Sequence, residues 1–350
     1  MTLRCNLTLM FLTLLPGLAG PSVYAQGNVP EIDDSYHFKY WQPSPYNIAY
    51  NEWWYFNLYD EKNNIQAIFT YQVADPADLS GQGGGDLTAV VYQPNQTVTE
   101  SDLYPLSSFT ASYSSANVTL GPNKISVKGA NLYLLTGATM DGRLSWELSY
   151  ERQAPSWFAG DHIDVGPPSW EQMSWLLYMP RAKVSGTLTV DGHAYKVECS
   201  GYHDHNWGQW NFASVVWNWA QYSQPGLTFD LGDFTGNPNG RASLDVLGKR
   251  VVFSASQYKL VHTKWAFDSI DNLSYPIQSV FTAENDDVTV RIVMNAQSTD
   301  PLATGPPPSL VIYEQTCHFK GTVTVQSKWF PIETSFEGDG FKEYTATSAP

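Results

Sequence analysis

The chain has 350 residues and a formal net charge of -15, with 14% aromatic and only 15% charged residues. A chain this apolar can build large cores, so disorder is excluded for most of it. The acidic balance, without any Lys/Arg cluster, excludes nucleic acid as a partner and gives anionic membrane surfaces nothing to attract.

Taken in chain order, residues 1–25 have the make-up of a signal peptide. Arg4 supplies a positive start, Leu7 to Leu18 is mostly apolar, and Val23-Tyr24-Ala25 offers a small-residue cleavage site. Routing through the secretory pathway and secretion are expected. Retention as an uncleaved N-terminal membrane anchor is the alternative, although a run this short spans a bilayer poorly. The remaining length suits two β domains, placed at 26–217 and 218–350.

The first strand is expected at Asn51-Glu52-Trp53-Trp54-Tyr55-Phe56-Asn57, with Glu52, Trp54 and Phe56 on one face and Trp53 and Tyr55 on the other. Asn63-Asn64 and Pro122-Asn123 mark turns, and Asp75 to Gly85 reads as a Gly-rich loop. Sequons make Asn95, Asn117 and Asn272 candidate glycosylation sites. Leu132 to Tyr150 alternates about an Asp141-Gly142 turn; Ala154 to Pro168 reads as a loop, and Trp170 to Tyr178 as a short helix or an aromatic loop. Val184 to Cys199 forms a hairpin turning at Asp191-Gly192 with a type I′ signature. Cys199 and Cys317 form a possible disulfide in an oxidising lumen, with two separate buried thiols as the alternative. The domain junction is expected near Asn218 to Pro225, and Thr299 to Ser309 is a Pro-rich loop. Period-two patterning punctuated by turns, almost throughout, makes the fold class all-β and antiparallel. No short fixed repeat points to a propeller or solenoid.

Three segments carry candidate chemistry. In Gly201-Tyr202-His203-Asp204-His205-Asn206-Trp207-Gly208, extended geometry puts His203 and His205 on one face and Asp204 on the other. Such a run of polar groups is costly inside a protein unless each has a partner, so it reads as a pocket lining for acid-base work or as a structural network. His-x-His also presents two imidazoles to a metal. The other histidines, His37, His162, His193, His262 and His318, show no partner spacing, so no metal is expected. In the second segment, Glu52 beside aromatic walls is placed where desolvation raises a carboxyl pKa and indole faces steady a cation; a core strand with a tied-down carboxylate is the alternative. In Phe229-Asp230-Leu231-Gly232-Asp233-Phe234, Asp230 and Asp233 face opposite ways, so only one can reach a shared cavity. There is no Gly-x-Ser-x-Gly, phosphate loop or dinucleotide fingerprint, and no cofactor is expected.

These residues, with Met179-Pro180-Arg181-Ala182-Lys183-Val184-Ser185-Gly186-Thr187, resemble the hydroxyneurosporene synthase family of carotenoid 1,2-hydratases in the AttH-like lipocalin superfamily, and more closely its fungal secreted members. The resemblance implies two lipocalin-like or sandwich-like antiparallel barrel domains with an apolar cavity. In that family an acid protonates an isolated alkene, water captures the tertiary cation, and a His and a Trp two residues apart lie in the site. His205 and Trp207 match that spacing, whereas the family's Tyr-x-Asp is not reproduced around Asp230 and Asp233.

The expectation is a cofactor-free Brønsted-acid enzyme acting on a prenylated or terpenoid-like small molecule by alkene hydration or epoxide opening. Catalytic candidates are Asp233, Asp230, His205, Trp207, Glu52 and Asp204; substrate-binding candidates are Trp53, Trp54, Tyr55, His203, Trp210 and Phe229. A pericyclase of the Diels-Alderase kind and a non-catalytic lipocalin-like carrier are the alternatives.

Overall fold

A computed structural model describes residues 29–41, 44–166, 168–211, 215–303, 310–327 and 330–347. The leader and the Pro306-Pro307-Pro308 run lie outside the described residues. The first twelve strands are β1 (Tyr50–Asp60), β2 (Ile65–Ala74), β3 (Gly84–Gln93), β4 (Gln96–Pro105), β5 (Phe109–Ala111), β6 (Val118–Leu120), β7 (Asn123–Gly129), β8 (Leu132–Ala138), β9 (Leu144–Arg152), β10 (Trp157–Asp164), β11 (Gln172–Val190) and β12 (His193–Gln209). They form one sheet in the order β4-β3-β2-β1-β12-β11-β9-β8-β7-β6-β5, with β10 on β11. The second sheet is built from β13 (Trp217–Gln224), β14 (Leu227–Phe234), β15 (Arg241–Val246), β16 (Lys249–Ser254), β17 (Tyr258–Asp268), β18 (Leu273–Glu284), β19 (Val288–Ala303), β20 (Leu310–Val325) and β21 (Ile332–Thr347). Its order is β16-β15-β14-β13-β21-β20-β19-β18-β17. The first sheet closes into a nearly complete barrel and the second into a half-barrel, so the fold is all-β with two lipocalin-like units. Among the described residues the helical turns are all short 3₁₀ segments.

Alternation divides the buried side chains among three places. One barrel interior holds Trp54, Phe56, Phe69, Trp146 and Tyr150, and the other holds Phe229, Leu231, Leu244, Phe281 and Phe319. The third is the seam where the sheets meet, with Tyr55, Trp175, Tyr202 and Trp210 from the first sheet against Trp219, Phe234 and Phe341 from the second. Burying each such side chain contributes about 1.5–3 kcal/mol, so the seam is a third core that fixes one barrel on the other.

The β11–β12 hairpin is the longest arm of the first barrel. Asp191 and Gly192 turn it with φ of 47° and 79°, the left-handed pair that a type I′ turn needs. Further along, Gly208 has φ 152° and lies so close to Gln172 that a Cβ would overlap the Gln172 carbonyl, so only glycine lets the strands meet there.

Three expectations are corrected. Trp170 to Tyr178 is neither helix nor loop, because Gln172 onward is strand β11. Met173 to Tyr178 is buried on both faces, one towards the barrel and one towards the seam, so its apolar run has no period to read. The expected loop from Ala154 to Pro168 contains β10, which pairs with β11. The chain passes from the first sheet to the second between Gln209 and Trp217. Cys199 and Cys317 are free thiols, one packed against each barrel core, and form no disulfide.

Candidate functional site

Strands β1 and β12 pair antiparallel with Glu52 opposite Trp207, Trp54 opposite His205 and Phe56 opposite His203. Directly opposed residues share a face, so these six side chains enter the first barrel while Trp53, Tyr55, Asp204 and Asn206 enter the seam. The sequence-predicted site residues are therefore divided between two chambers by one strand pair.

Inside the barrel, His205 lies between two carboxylates, with Nε2 2.9 Å from Glu52 Oε1 and Nδ1 3.2 Å from Asp34 Oδ1. His203 faces acceptors with both ring nitrogens, the Tyr55 carbonyl at 2.9 Å and Asp34 Oδ2 at 3.0 Å. The Tyr133 hydroxyl donates to Asp34 Oδ2 at 2.7 Å, and the Tyr50 hydroxyl and the His37 backbone N–H donate to Glu52. Burial works to raise the Asp34 and Glu52 carboxyls, but His203 and His205 around Asp34, and His205 and His37 around Glu52, outweigh it and hold both below the usual carboxylate range. Burial favours a neutral His205 ring, yet its interactions with the two acceptor carboxylates, Asp34 and Glu52, outweigh that too and raise its pKa. Trp54 stacks on His205 with centroids 4.5 Å apart, Phe56 on His203 at 3.9 Å and Trp207 on His37 at 3.8 Å. Carboxylates and imidazoles thus form a buried ionic network walled by aromatic rings, in which His37 Nδ1 makes no hydrogen bond.

The seam is different. Its pocket is lined by Trp53, Tyr55, Trp175, Trp210, Trp217, Trp219 and Phe234, with Asp204, Asn206, Asn218 and Glu343 as polar groups. Asp204 Oδ2 accepts from Trp175 Nε1 at 2.9 Å and from the Tyr202 hydroxyl at 2.8 Å, while Oδ1 has a longer contact from Asn206 Nδ2 at 3.3 Å. Burial pushes the Asp204 carboxyl up to about 7, against the lowering effect of those donors. Oδ2 is occupied by two donors, so the proton belongs on Oδ1.

Further carboxyls gather around this pocket. Glu343 accepts from Trp217 Nε1 at 2.7 Å and stands opposite Glu314 in the β20–β21 ladder. Burial raises both, and the Glu343 charge adds to the effect on Glu314, so the pair is driven towards the protonated form. Asp230, beside Ser243 Oγ at 3.4 Å, is raised by burial and by the charges of Asp245 and Asp204, against Arg250.

No family model matches the chain, and no curated protein matches it in sequence. Solved structures do match. An AttH-like protein from Nitrosomonas europaea superposes with TM-score 0.69 at 14% identity, over 96% of this chain and 100% of that one. Kievitone hydratase from Nectria haematococca gives 0.61 at 16% identity, over 87% and 91%. CghA, also solved with Sch210972, gives 0.57 at 10% identity, over 86% and 90%. The chain has the AttH-like fold.

Within this AttH-like fold, Asp233 accepts from the Tyr258 hydroxyl at 2.7 Å and, at 3.2 Å, from Nδ2 of Asn218, a residue that lines the seam pocket. Phe229 is packed on Phe281 in the second barrel core. Trp54, His203, His205 and Trp207 face the barrel interior, away from the aromatic pocket that holds Trp53, Tyr55, Asp204 and Trp210. Reading the sequence missed Asp34 and His37 in the barrel, and Trp175, Glu314 and Glu343 in the seam. Trp175 carried a signal in its aromatic neighbourhood; the two glutamates, on strands far along the chain, carried none.

Proposed function

We propose that the chain is a cofactor-free Brønsted-acid enzyme of hydratase or isomerase type, with Asp204 as the acid and the seam pocket as its site. The observation that carries this is a carboxyl with a pKa raised to about 7, buried among five indole rings. A carboxylic acid with that pKa is half-protonated near neutrality, where an ordinary one is ionised. Asp204 Oδ1–H protonates the less substituted carbon of an alkene, and the indole faces stabilise the tertiary cation. Water adds to the cation and its proton returns to Asp204, so the acid is regenerated; an epoxide opens by the same protonation at oxygen. The substrate class is a prenylated or terpenoid-like molecule. The similarity in fold to kievitone hydratase supports a hydratase, and that to CghA, a fungal natural-product tailoring enzyme, keeps another tailoring reaction in view.

The pocket as it stands has about 60 Å³ of free space, room for a water or two, so a prenyl chain enters only as the aromatic walls swing aside. Routing through the secretory pathway is part of the same proposal, supported by the exposure of all three sequon asparagines, Asn95, Asn117 and Asn272.

The test is incubation with prenylated aromatics in deuterated and heavy-oxygen water. Deuterium on the protonated carbon and heavy oxygen in a tertiary alcohol are expected, both abolished by Asp204→Asn. Turnover without either isotope refutes hydration. Turnover that survives Asp204→Asn and Glu343→Gln makes the site a shape-driven pericyclase, and binding without turnover makes it a carrier.

A further inference from the structure

The barrel interior, on the opposite side of the β1–β12 pair from the seam pocket, holds a cluster that the acid chemistry does not use. His37, Glu52 and His205 bring ligand-type atoms within 4.8 Å of one another. His205 Nε2 is 2.9 Å and His37 Nδ1 3.4 Å from the same oxygen, Glu52 Oε1. Donors about 2.0–2.1 Å from a tetrahedral cation stand about 3.3 Å apart, so these separations bracket what a single ion requires.

Three further observations point the same way. His37 Nδ1 is buried and makes no hydrogen bond, although the rest of that ring is held by the Trp207 face at 3.8 Å. A buried ring nitrogen without a partner is uncommon and needs an explanation. The far nitrogen of His205 meets Asp34 Oδ1 at 3.2 Å, the carboxylate–histidine arrangement that orients metal-bound imidazoles and raises their basicity. Finally, Glu52 is itself positioned by the Tyr50 hydroxyl and the His37 backbone N–H, so the ligand and its supports are already in place.

We propose that His37 Nδ1, Glu52 and His205 Nε2 form a site for one divalent transition-metal ion, best suited to Zn²⁺, inside the first barrel. Two imidazoles and a carboxylate favour zinc over magnesium or calcium, which take all-oxygen ligands. The ion replaces the proton that His205 Nε2 shares with Glu52, and that proton leaves to solvent. Three protein donors leave a fourth coordination position open. Because His37 belongs to the segment ahead of β1, the ion ties that segment to the barrel, and its binding raises the thermal stability of the folded chain.

The experiment uses the untagged full chain, stripped with chelator and titrated with Co²⁺ and then Zn²⁺. Expected are one equivalent of Co²⁺ with the intense visible absorption of a four-coordinate ion, its displacement by Zn²⁺, and a Zn²⁺-dependent rise in Tm. His37→Gln removes all three. In this variant the backbone hydrogen bond from residue 37 to Glu52 is kept while the stacking on Trp207 and the 3.4 Å imidazole contact with Glu52 are lost, and a native circular dichroism spectrum of the metal-free variant checks that it folds. His318→Gln, at the surface between Asp339 and Glu337, leaves all three unchanged. Weak six-coordinate absorption, less than one equivalent bound, or binding that survives His37→Gln overturns the proposal. Binding removed by His318→Gln instead assigns the ion to the surface cluster and overturns it equally. None of these readouts uses turnover, so failure here leaves the Asp204 reading standing, and the reverse.

Discussion

Replacing Asp204 with Asn separates the seam carboxyl from everything around it. The side chains have the same shape, so Trp175 Nε1 and the Tyr202 hydroxyl keep an acceptor, and the Asn206 amide turns to offer its oxygen. What is lost is titration. Burial pushes the Asp204 pKa to about 7 from an ordinary 3.8, so between those values the folded chain holds a proton that the unfolded chain has released. Stability then falls as pH rises through that window, and the full cost is reached once the folded carboxyl ionises; linkage sets it at no more than about 4 kcal/mol. Asn carries no such cost. The variant therefore gains on the wild type as pH rises from about 4 to about 8, and the gain levels off above 7. Urea unfolding of both proteins across this range measures the difference, which also includes the relief of Asp230 and Glu314 from the Asp204 charge. A difference that stays flat with pH would refute a raised Asp204 pKa and, with it, the choice of Asp204 as the acid.

Gly232 lines the same pocket, and a Cβ there would overlap the Trp175 ring. Gly232→Ala should cost about 1–3 kcal/mol by overpacking, shift the tryptophan emission and, by loosening the Trp175 donor, raise the Asp204 titration midpoint; an unchanged midpoint would mean that Trp175 does not hold the carboxyl. The thiols give a simpler check. Burial pushes Cys317 up to about 12 and raises Cys199 as well, so neither should react with a thiol reagent until the chain is unfolded, and reductant should leave Tm unchanged. A reductant-sensitive Tm would restore the disulfide.

Much of the local structure was legible in the sequence, and the reason is geometric. A strand presents alternate side chains to opposite faces, so Glu52, Trp54 and Phe56 could be set apart from Trp53 and Tyr55, and His203 and His205 from Asp204, before any partner strand was known. Turn chemistry was equally local, because Asp191, Gly192 and Asn64 adopt left-handed backbone that few other residues accept. Where the rule failed, it failed for a physical reason: the first part of β11, Met173 to Tyr178, is covered on both faces, and a run without a solvent face has no alternation to read.

Alternation states that two faces exist, but not what each face meets. Only the tertiary structure decided that one side of the β1–β12 pair closes on the barrel, with Asp34 and His37 brought in from the preceding segment, and that the other closes on a second sheet carrying Glu314 and Glu343. The chemistry of Asp204 follows from that enclosure. A carboxyl pKa depends on the water it has lost and the charges it has gained, and those are properties of residues far away in the chain, which sequence spacing does not record.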